Sequence, residues 1–333
     1  MTDKVSIILP VYNSEKTIKK CIQSVINQKY TNWVLIVIDD GSIDSSSELL
    51  DKYASSDSRI RIIHKINQGV SIARNTGIKA VESELFVFLD SDDSLSPNYL
   101  AELIGAKRLF PDYQNIWCGY QSKSIHGISD KLLKSKEDFV TLDKQSLMSL
   151  YEQCFLQSPW NHLYSKSIVD KHSVTFRENL DLGEDLLFNL DYFEATGCTD
   201  ILFINKPLYC YSDENSSSLT KKYRIDFLNI TELLDNEFKK KLGQWELSVS
   251  NWTLYYNMVF NHYERALFNT FDTRNPMSLS EKIRFNNSIL CKSSFIEALN
   301  NTTRYIHPVY RLAYHLKNYR IIMLANKVNQ FIR

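Results

Sequence analysis

The chain has 333 residues, 44% of them hydrophobic and 23% charged, a balance that supports a folded core and excludes a disordered polypeptide. Lys plus Arg and Asp plus Glu are both 39, so the net charge of zero gives no overall attraction to nucleic acid. The length suits one large domain, or a domain of roughly 200 residues with a smaller companion.

In chain order, Val5 to Leu9 is apolar apart from Ser6 and mostly β-branched, as expected of a strand covered on both faces, and Pro10-Val11-Tyr12-Asn13 ends it. Ser14 is a candidate cap for a helix whose apolar positions Ile18, Cys21, Ile22, Val25 and Ile26 fall at helical spacing. Trp33 to Ile38 reads as a second buried strand ending in Asp39-Asp40-Gly41-Ser42. A helix over 45–54, a short strand over 60–63 and a helix through Ala73, Arg74 and Ile78 follow, with Asn67-Gln68-Gly69 between the last two. The fourth strand, Leu85 to Leu89, runs directly into Asp90-Ser91-Asp92-Asp93. These acids either deliver carboxylates to an oxygen-loving cation or form a polar turn, with Asp93 or Ser94 opening a helix before Pro97.

Strands alternating with helices at this pace predict βαβ units and a mainly parallel sheet flanked by helices. Ligands of such sheets bind beyond the carboxyl ends of the strands, where Pro10 and Tyr12, Asp39 and Asp40, Asn67 and Arg74, and Asp90 and Asp92 would meet. No glycine-rich phosphate turn follows the first strand, which argues against a dehydrogenase or a P-loop enzyme. Acids bind phosphates only through a divalent cation, so this chemistry suits a nucleoside diphosphate: Tyr12 against a base, Asp40 on base or ribose, Asp92 on the metal.

Beyond Asp112 the pattern loosens. A strand over 115–120 and a helix over 142–155, starting near Asp143, are expected. In Ser158-Pro159-Trp160-Asn161-His162, Trp160 and Asn161 form either a sugar-stacking, acceptor-binding surface or a packed corner, and His162 reads as structural. Gly183-Glu184-Asp185 opens a helix with apolar positions Leu186, Leu187, Leu190 and Phe193; the two acids either complement the helix dipole or serve chemistry. Pro207 to Tyr211 reads as a strand, and 215–220 as a mobile polar segment followed by Lys221, Lys222 and Arg224. From Ile225 the spacing is helical.

Six cysteines lack metal-ligand or redox spacing and are expected mostly as reduced core residues. A signal peptide and a spanning run of about 18 apolar residues are not evident, so a cytoplasmic location is expected. After Glu297 no acid follows, whereas Arg304, Arg311, Lys317, Arg320, Lys327 and Arg333 alternate with Tyr305, Tyr310, Tyr314 and Tyr319. This region either lies against an anionic membrane surface or polyanion, or is a solvated, packed helical end.

The blocks Val5 to Asn13, Ile38 to Ser42, Asn67 to Gly77 and Asp90 to Asp93 together resemble the family 2 glycosyltransferases of the GT-A fold. The resemblance is strong over about the first 110 residues and weaker to about residue 220. It implies an inverting transfer of a sugar from a nucleotide diphosphate sugar, usually a uridine diphosphate sugar, to a hydroxyl of a glycan or lipid-linked acceptor. It assigns Pro10, Tyr12, Asp40, Asn67 and Arg74 to the base pocket, Asp90 to the ribose side, Ser91 to the nucleotide-sugar site, and Asp92 to the metal, Mn2+ or Mg2+, of the Asp-x-Asp motif. Asp185 then matches the base and Glu184 the residue orienting the acceptor.

The organisation expected is 1–224 for the transferase, with a nucleotide-sugar half over 1–112 and an acceptor half over 113–224, and a helical region over 225–333. The setting expected is synthesis of a capsule or other cell-surface polysaccharide at the inner face of the membrane, with peripheral contact through the basic C-terminal region and a homo-oligomer open. Two rivals stand beside it. A nucleotidyltransferase would want a glycine-rich basic loop where Pro10-Val11-Tyr12-Asn13 lies. A non-catalytic carbohydrate-binding protein would need neither Asp92 nor Asp185.

Overall fold

The computed structural model describes residues 3–180, 182–197, 199–213 and 223–332. The chain divides into two compact units, Met1–Lys222 and Tyr223–Arg333.

In the first unit the N-terminal half alternates strand and helix: β1 (Val5–Val11), α1 (Ile18–Ile26), β2 (Trp33–Asp39), α2 (Ser46–Ser56), β3 (Ile60–His64), α3 (Val70–Ala80) and β4 (Leu85–Phe88). All seven residues of β1 and of β2 are buried, as their largely apolar sequences require of strands covered on both faces. Pairing in the order β3-β2-β1-β4 is parallel throughout. Pro10 is accommodated because β4 leaves β1 at the Ile8–Phe88 pair, so one side of the strand end asks for no ladder donor.

Beyond β4 come β5 (Ser94–Leu95), α4 (Tyr99–Leu109), β6 (Asn115–Ser124), β7 (Gly127–Lys131), β8 (Phe139–Leu142), α5 (Leu147–Glu152), β9 (His162–Ser165), α6 (Lys166–His172), α7 (Glu184–Ala195) and β10 (Ile201–Ser212). Short β9 lies between β4 and β6, antiparallel to both, so the sheet is mixed from this point on. β6 and β10 pair in parallel, and β5 and β8 run antiparallel to β10. The helix expected over 142–155 is shorter: Leu142 ends β8, a 3-10 turn capped by Asp143 follows, and α5 starts at Leu147.

The second unit is helical among the described residues: α8 (Phe227–Gln244), α9 (Val249–Asn269), α10 (Leu279–Leu290), α11 (Ser293–Asn301), α12 (Pro308–His315) and α13 (Tyr319–Ile332). Phe238, Leu267, Leu290, Phe295, Tyr314 and Ile322 are buried in its core. Of the five cysteines described, Cys21 and Cys118 are buried, while Cys154 and Cys291 are exposed and Cys210 is intermediate; Cys198 lies outside the described residues. The expectation that most are core residues therefore holds for two of the five.

Glycine matters at two places that position the strand ends. Gly41 has φ of +74°, and a Cβ there would lie 2.7 Å from the Asn67 backbone nitrogen, so the turn after β2 packs backbone against backbone. Gly77 sits where α3 crosses β1, and a Cβ would lie 2.3 Å from Ile8 Cγ2. Gly77→Ala should therefore force α3 off the sheet and lower stability by about 1–3 kcal/mol in urea unfolding, the range for overpacking a tight core.

Candidate active site

The ends of β1 and β2 are tied together by their own loops. Asn13, at a φ of 49°, accepts from the Ile43 amide at 2.9 Å, and the Asn13 amide donates to Ser42 Oγ at 3.1 Å. The Ser14 amide donates to Ser46 Oγ at 2.8 Å. Ser14, expected as a helix cap, makes no cap bond to α1; its Oγ pairs with Ser91 Oγ at 2.7 Å and links this loop to the acidic turn. Tyr12 stands out from the loop with 49% of its surface exposed.

The two acids after β2 hold the surrounding turns. Asp39 accepts from the Ser42 amide and from His64 Nδ1 at 2.8 Å; burial opposes its charge, but hydrogen bonds from Ser42, Ser47 and His64 prevail and hold its pKa below the ordinary value. Asp40 accepts from Lys65 Nζ at 2.7 Å and from the Gln68 and Gly69 amides at 3.1 and 2.8 Å. Its carboxylate thus shapes the 65–69 loop, on which Asn67 is exposed.

After β4, the three acids take three environments. Asp93 is buried, accepting from Tyr209 Oη and from the Ser212 amide, both at 2.7 Å. Burial, reinforced by Asp90 and Asp92, pushes its pKa well above the carboxylate range. The Asp90 amide donates to the same Tyr209 Oη at 3.1 Å, while the Asp90 side chain turns toward α3. Asp92 is half-buried in the turn between them.

Arg74 is the junction. The sequence suggested a place beside the base, but its guanidinium is 4% exposed and faces three carboxylates from two distant segments. Nη2 donates to Asp90 Oδ1 at 3.0 Å, and Nη1 donates to Asp185 Oδ1 at 2.7 Å and to Glu184 Oε1 at 3.5 Å. Burial disfavours the cation, yet Asp185, Asp90 and Glu184 together raise its pKa. Burial raises the Asp185 pKa well above the ordinary value; Arg74 opposes this, and Glu184 and Asp90 add to it. One cation among three acids cannot neutralise them all.

Packing brings these groups together. Gly183, at a φ of 81°, starts α7 so that Glu184 and Asp185 occupy its first turn. Phe188 of α7 stacks on Phe176 at 4.0 Å, and Phe88, the last residue of β4, meets both rings edge-on. From α3, Asn75 holds the Phe176 backbone with two 2.8 Å bonds, and Ser71 Oγ donates to the Leu180 carbonyl. Ser71, Arg74 and Asn75 therefore align one helix face against 176–185.

Trp160 and Asn161 are not brought to this crevice. They precede β9, which is inserted in the middle of the sheet, so Trp160 is buried and stacks on Tyr209 at 4.2 Å. Asn161 is fully buried and donates to the Phe155 carbonyl. Neither presents a surface for a sugar, and the packed-corner alternative describes them. His162 is structural too: Trp117 stacks on it at 4.1 Å, and burial lowers its pKa to about 3. Residues 214–222, including Lys221 and Lys222, lie outside the described residues. Tyr209, which fixes the acidic turn, went unassigned from sequence; a tyrosine in a strand whose hydroxyl needs a buried partner was the available signal.

Among the described residues no group of three or more His, Cys, Asp or Glu side chains is placed to hold a metal ion. Mg2+ and Mn2+ sites built on phosphates need only one or two carboxylates, the rest of the shell being phosphate oxygens and water. The donor set of the acidic turn suits a cation that arrives with a diphosphate.

Comparison with known proteins follows the same lines. The model for glycosyl transferase family 2 matches residues 6–173. EpsH of Bacillus subtilis, which carries a glycosyltransferase name, is 26% identical over 313 residues, covering 90% of this chain and 87% of EpsH. The poly(ribitol-phosphate) beta-N-acetylglucosaminyltransferase TarP of Staphylococcus aureus is also 26% identical over 313 residues, covering 92% and 90%. The crystal structure of S. aureus TarS 1–349 in complex with UDP superposes with a TM-score of 0.70 at 19% identity, covering 99% of this chain and 92% of that one. That likeness, with the strand order, identifies the α/β GT-A fold.

Replacing Arg74 leaves buried acids without their cation, so Arg74→Gln should lose on the order of 3 kcal/mol in urea unfolding at neutral pH. Because the folded-state pKa of Asp185 is raised, the protonated acid favours the folded state below the ordinary carboxylate range, and that contribution fades as pH rises through the raised value. The deficit of the variant should therefore shrink on acidification; a constant deficit would show that charge is not its cause.

Proposed function

Because the chain belongs to glycosyl transferase family 2 and is a glycosyltransferase, we propose that it moves a sugar, with inversion, from a uridine diphosphate sugar to a hydroxyl of a glycan or lipid-linked acceptor in cell-surface polysaccharide synthesis. The observation that carries this reading is the Arg74 junction, which joins Asp90 of the acidic turn to Glu184 and Asp185 of α7. Donor and acceptor must meet where the two segments meet. A uridine donor is supported by TarS, a chain of the same fold solved with UDP-GlcNAc, and a polymeric acceptor by the name of TarP.

In this reading residues 1–112 hold the nucleotide. The exposed ring of Tyr12 stacks on the base beside Pro10, Asp40 shapes the loop that offers Asn67 to the same pocket, and Asp90 and Ser91 border the ribose. Arg74 acts as a positioning residue, its guanidinium held between Asp90, Glu184 and Asp185. Asp92 would hold a divalent cation, which when bound would supply charge stabilisation to the departing diphosphate.

Asp185 accepts the proton of the acceptor hydroxyl as its oxygen attacks the anomeric carbon from the side opposite the diphosphate. A single base suffices for inversion. Arg74 Nη1 engages Asp185 Oδ1, which leaves Oδ2 for the incoming hydroxyl and fixes the carboxylate plane. A raised pKa makes the ionised carboxylate a stronger base than an exposed aspartate. Glu184 borders the same point and orients the acceptor.

Asp185→Asn should retain donor affinity while losing at least about 100-fold in kcat, the size of a general-base contribution; near-normal turnover would refute the assignment. In the unaltered enzyme the acid limb of log kcat against pH should lie above the ordinary carboxylate range, because the base must be ionised to act. For Asp92, calorimetric titration of a uridine diphosphate sugar with and without Mn2+ should lose its metal enhancement in Asp92→Ala. Enhancement preserved in that variant would move the metal elsewhere.

A further inference from the structure

The last helices of the second unit have two faces. One is packed: Ala313, Tyr314, Tyr319 and Ile322 are buried, and Tyr314 Oη donates to Glu264 Oε1 at 2.9 Å. The other is open. Val309, Leu312 and Leu316 follow one another at i, i+3 and i+7 along α12 and its cap, the spacing of a single helix stripe, and are 41%, 55% and 58% exposed. Tyr305, just before the helix, is 84% exposed and Leu324 of α13 is 65% exposed.

Cations border this stripe. Arg311, Lys317 and Arg320 are exposed and make no ion pair among the described residues. No acid follows Glu297 to offset them. An apolar ridge edged with unneutralised cations and an exposed tyrosine has the composition of a helix lying in the plane of an anionic lipid interface, apolar side chains among the acyl chains and cations at the phosphates. No helix among the described residues is long and apolar enough to cross a membrane, so the contact would be peripheral.

We propose that the α12 stripe docks the enzyme on an anionic membrane surface. A second copy of the chain is the less suitable occupant, because a two-fold contact through this ridge sets its cations against their own images. The proposal goes beyond the transfer chemistry and is measured without substrate, so its failure would leave the donor and base assignments untouched.

The test is co-sedimentation of the full chain with phosphatidylcholine vesicles, with and without phosphatidylglycerol. The chain should partition onto the anionic vesicles, less so at high salt, and weakly onto phosphatidylcholine alone. Leu312→Gln with Leu316→Gln, and separately Arg311→Gln with Arg320→Gln, should each lower the partition coefficient by about tenfold or more. All four side chains are exposed, so both variants should keep the circular dichroism and nucleotide-sugar hydrolysis of the parent. A parent chain that stays in the supernatant, or variants that sediment equally, would overturn the proposal. So would a dimer in analytical ultracentrifugation that the leucine variant dissolves without any vesicle binding, since that assigns the stripe to a second copy.

Discussion

One guanidinium facing three carboxylates is the constraint on which the first unit depends. Arg74 is almost fully buried, so leaving it unpaired would be strongly unfavourable, and its partners come from the turn after β4 and from the start of α7. Satisfying it closes the sheet edge against a helix 111 positions downstream. Burial, with Glu184 and Asp90 adding to it, raises the Asp185 pKa despite its 2.7 Å contact with Arg74. Structural need and a basic carboxylate thus arise from the same buried cluster.

Around this junction the acids divide by surroundings and not by type. Asp39, Asp40 and Asp93 are all nearly fully buried and bonded to amides, hydroxyls, a histidine or a lysine that shape loops. Asp90 and Asp185 keep about a quarter of their side-chain surface open, 27% and 23%. The aromatic group Phe88, Phe176 and Phe188 sets the spacing below, and the stack of Trp160 on Tyr209 fixes the acidic turn from the other side. Rigid rings beneath, with polar groups at the rim, suit a site that must keep its geometry while a diphosphate departs.

The second unit follows a different logic. Its helices bury one face in a local core, with polar links such as His262 Nδ1 to Asp235 at 2.8 Å and a Ser278 and Glu281 capping box at the start of α10. In the basic C-terminal region α12 packs through one arc and presents apolar residues through another. Helical spacing alone cannot separate the two, as each arc carries large apolar side chains.

The sequence by itself determined the βαβ order, the buried strands and the places where polar groups leave them. A strand covered on both faces must be written as an unbroken apolar run, and its end as a sudden change to polar residues. The motif blocks 5–13, 38–42, 67–77 and 90–93 carried the family for the same reason: each is a local stretch whose chemistry sits within a few residues. Tertiary structure alone decided that Arg74 meets three acids, that Asp93 is scaffold while Asp90 stays accessible, and that Trp160 is buried beside an inserted antiparallel strand. Each of those outcomes depends on contacts between segments far apart in the chain, and the energy of a carboxylate or a ring is set by what surrounds it, which neighbouring residues in sequence do not specify.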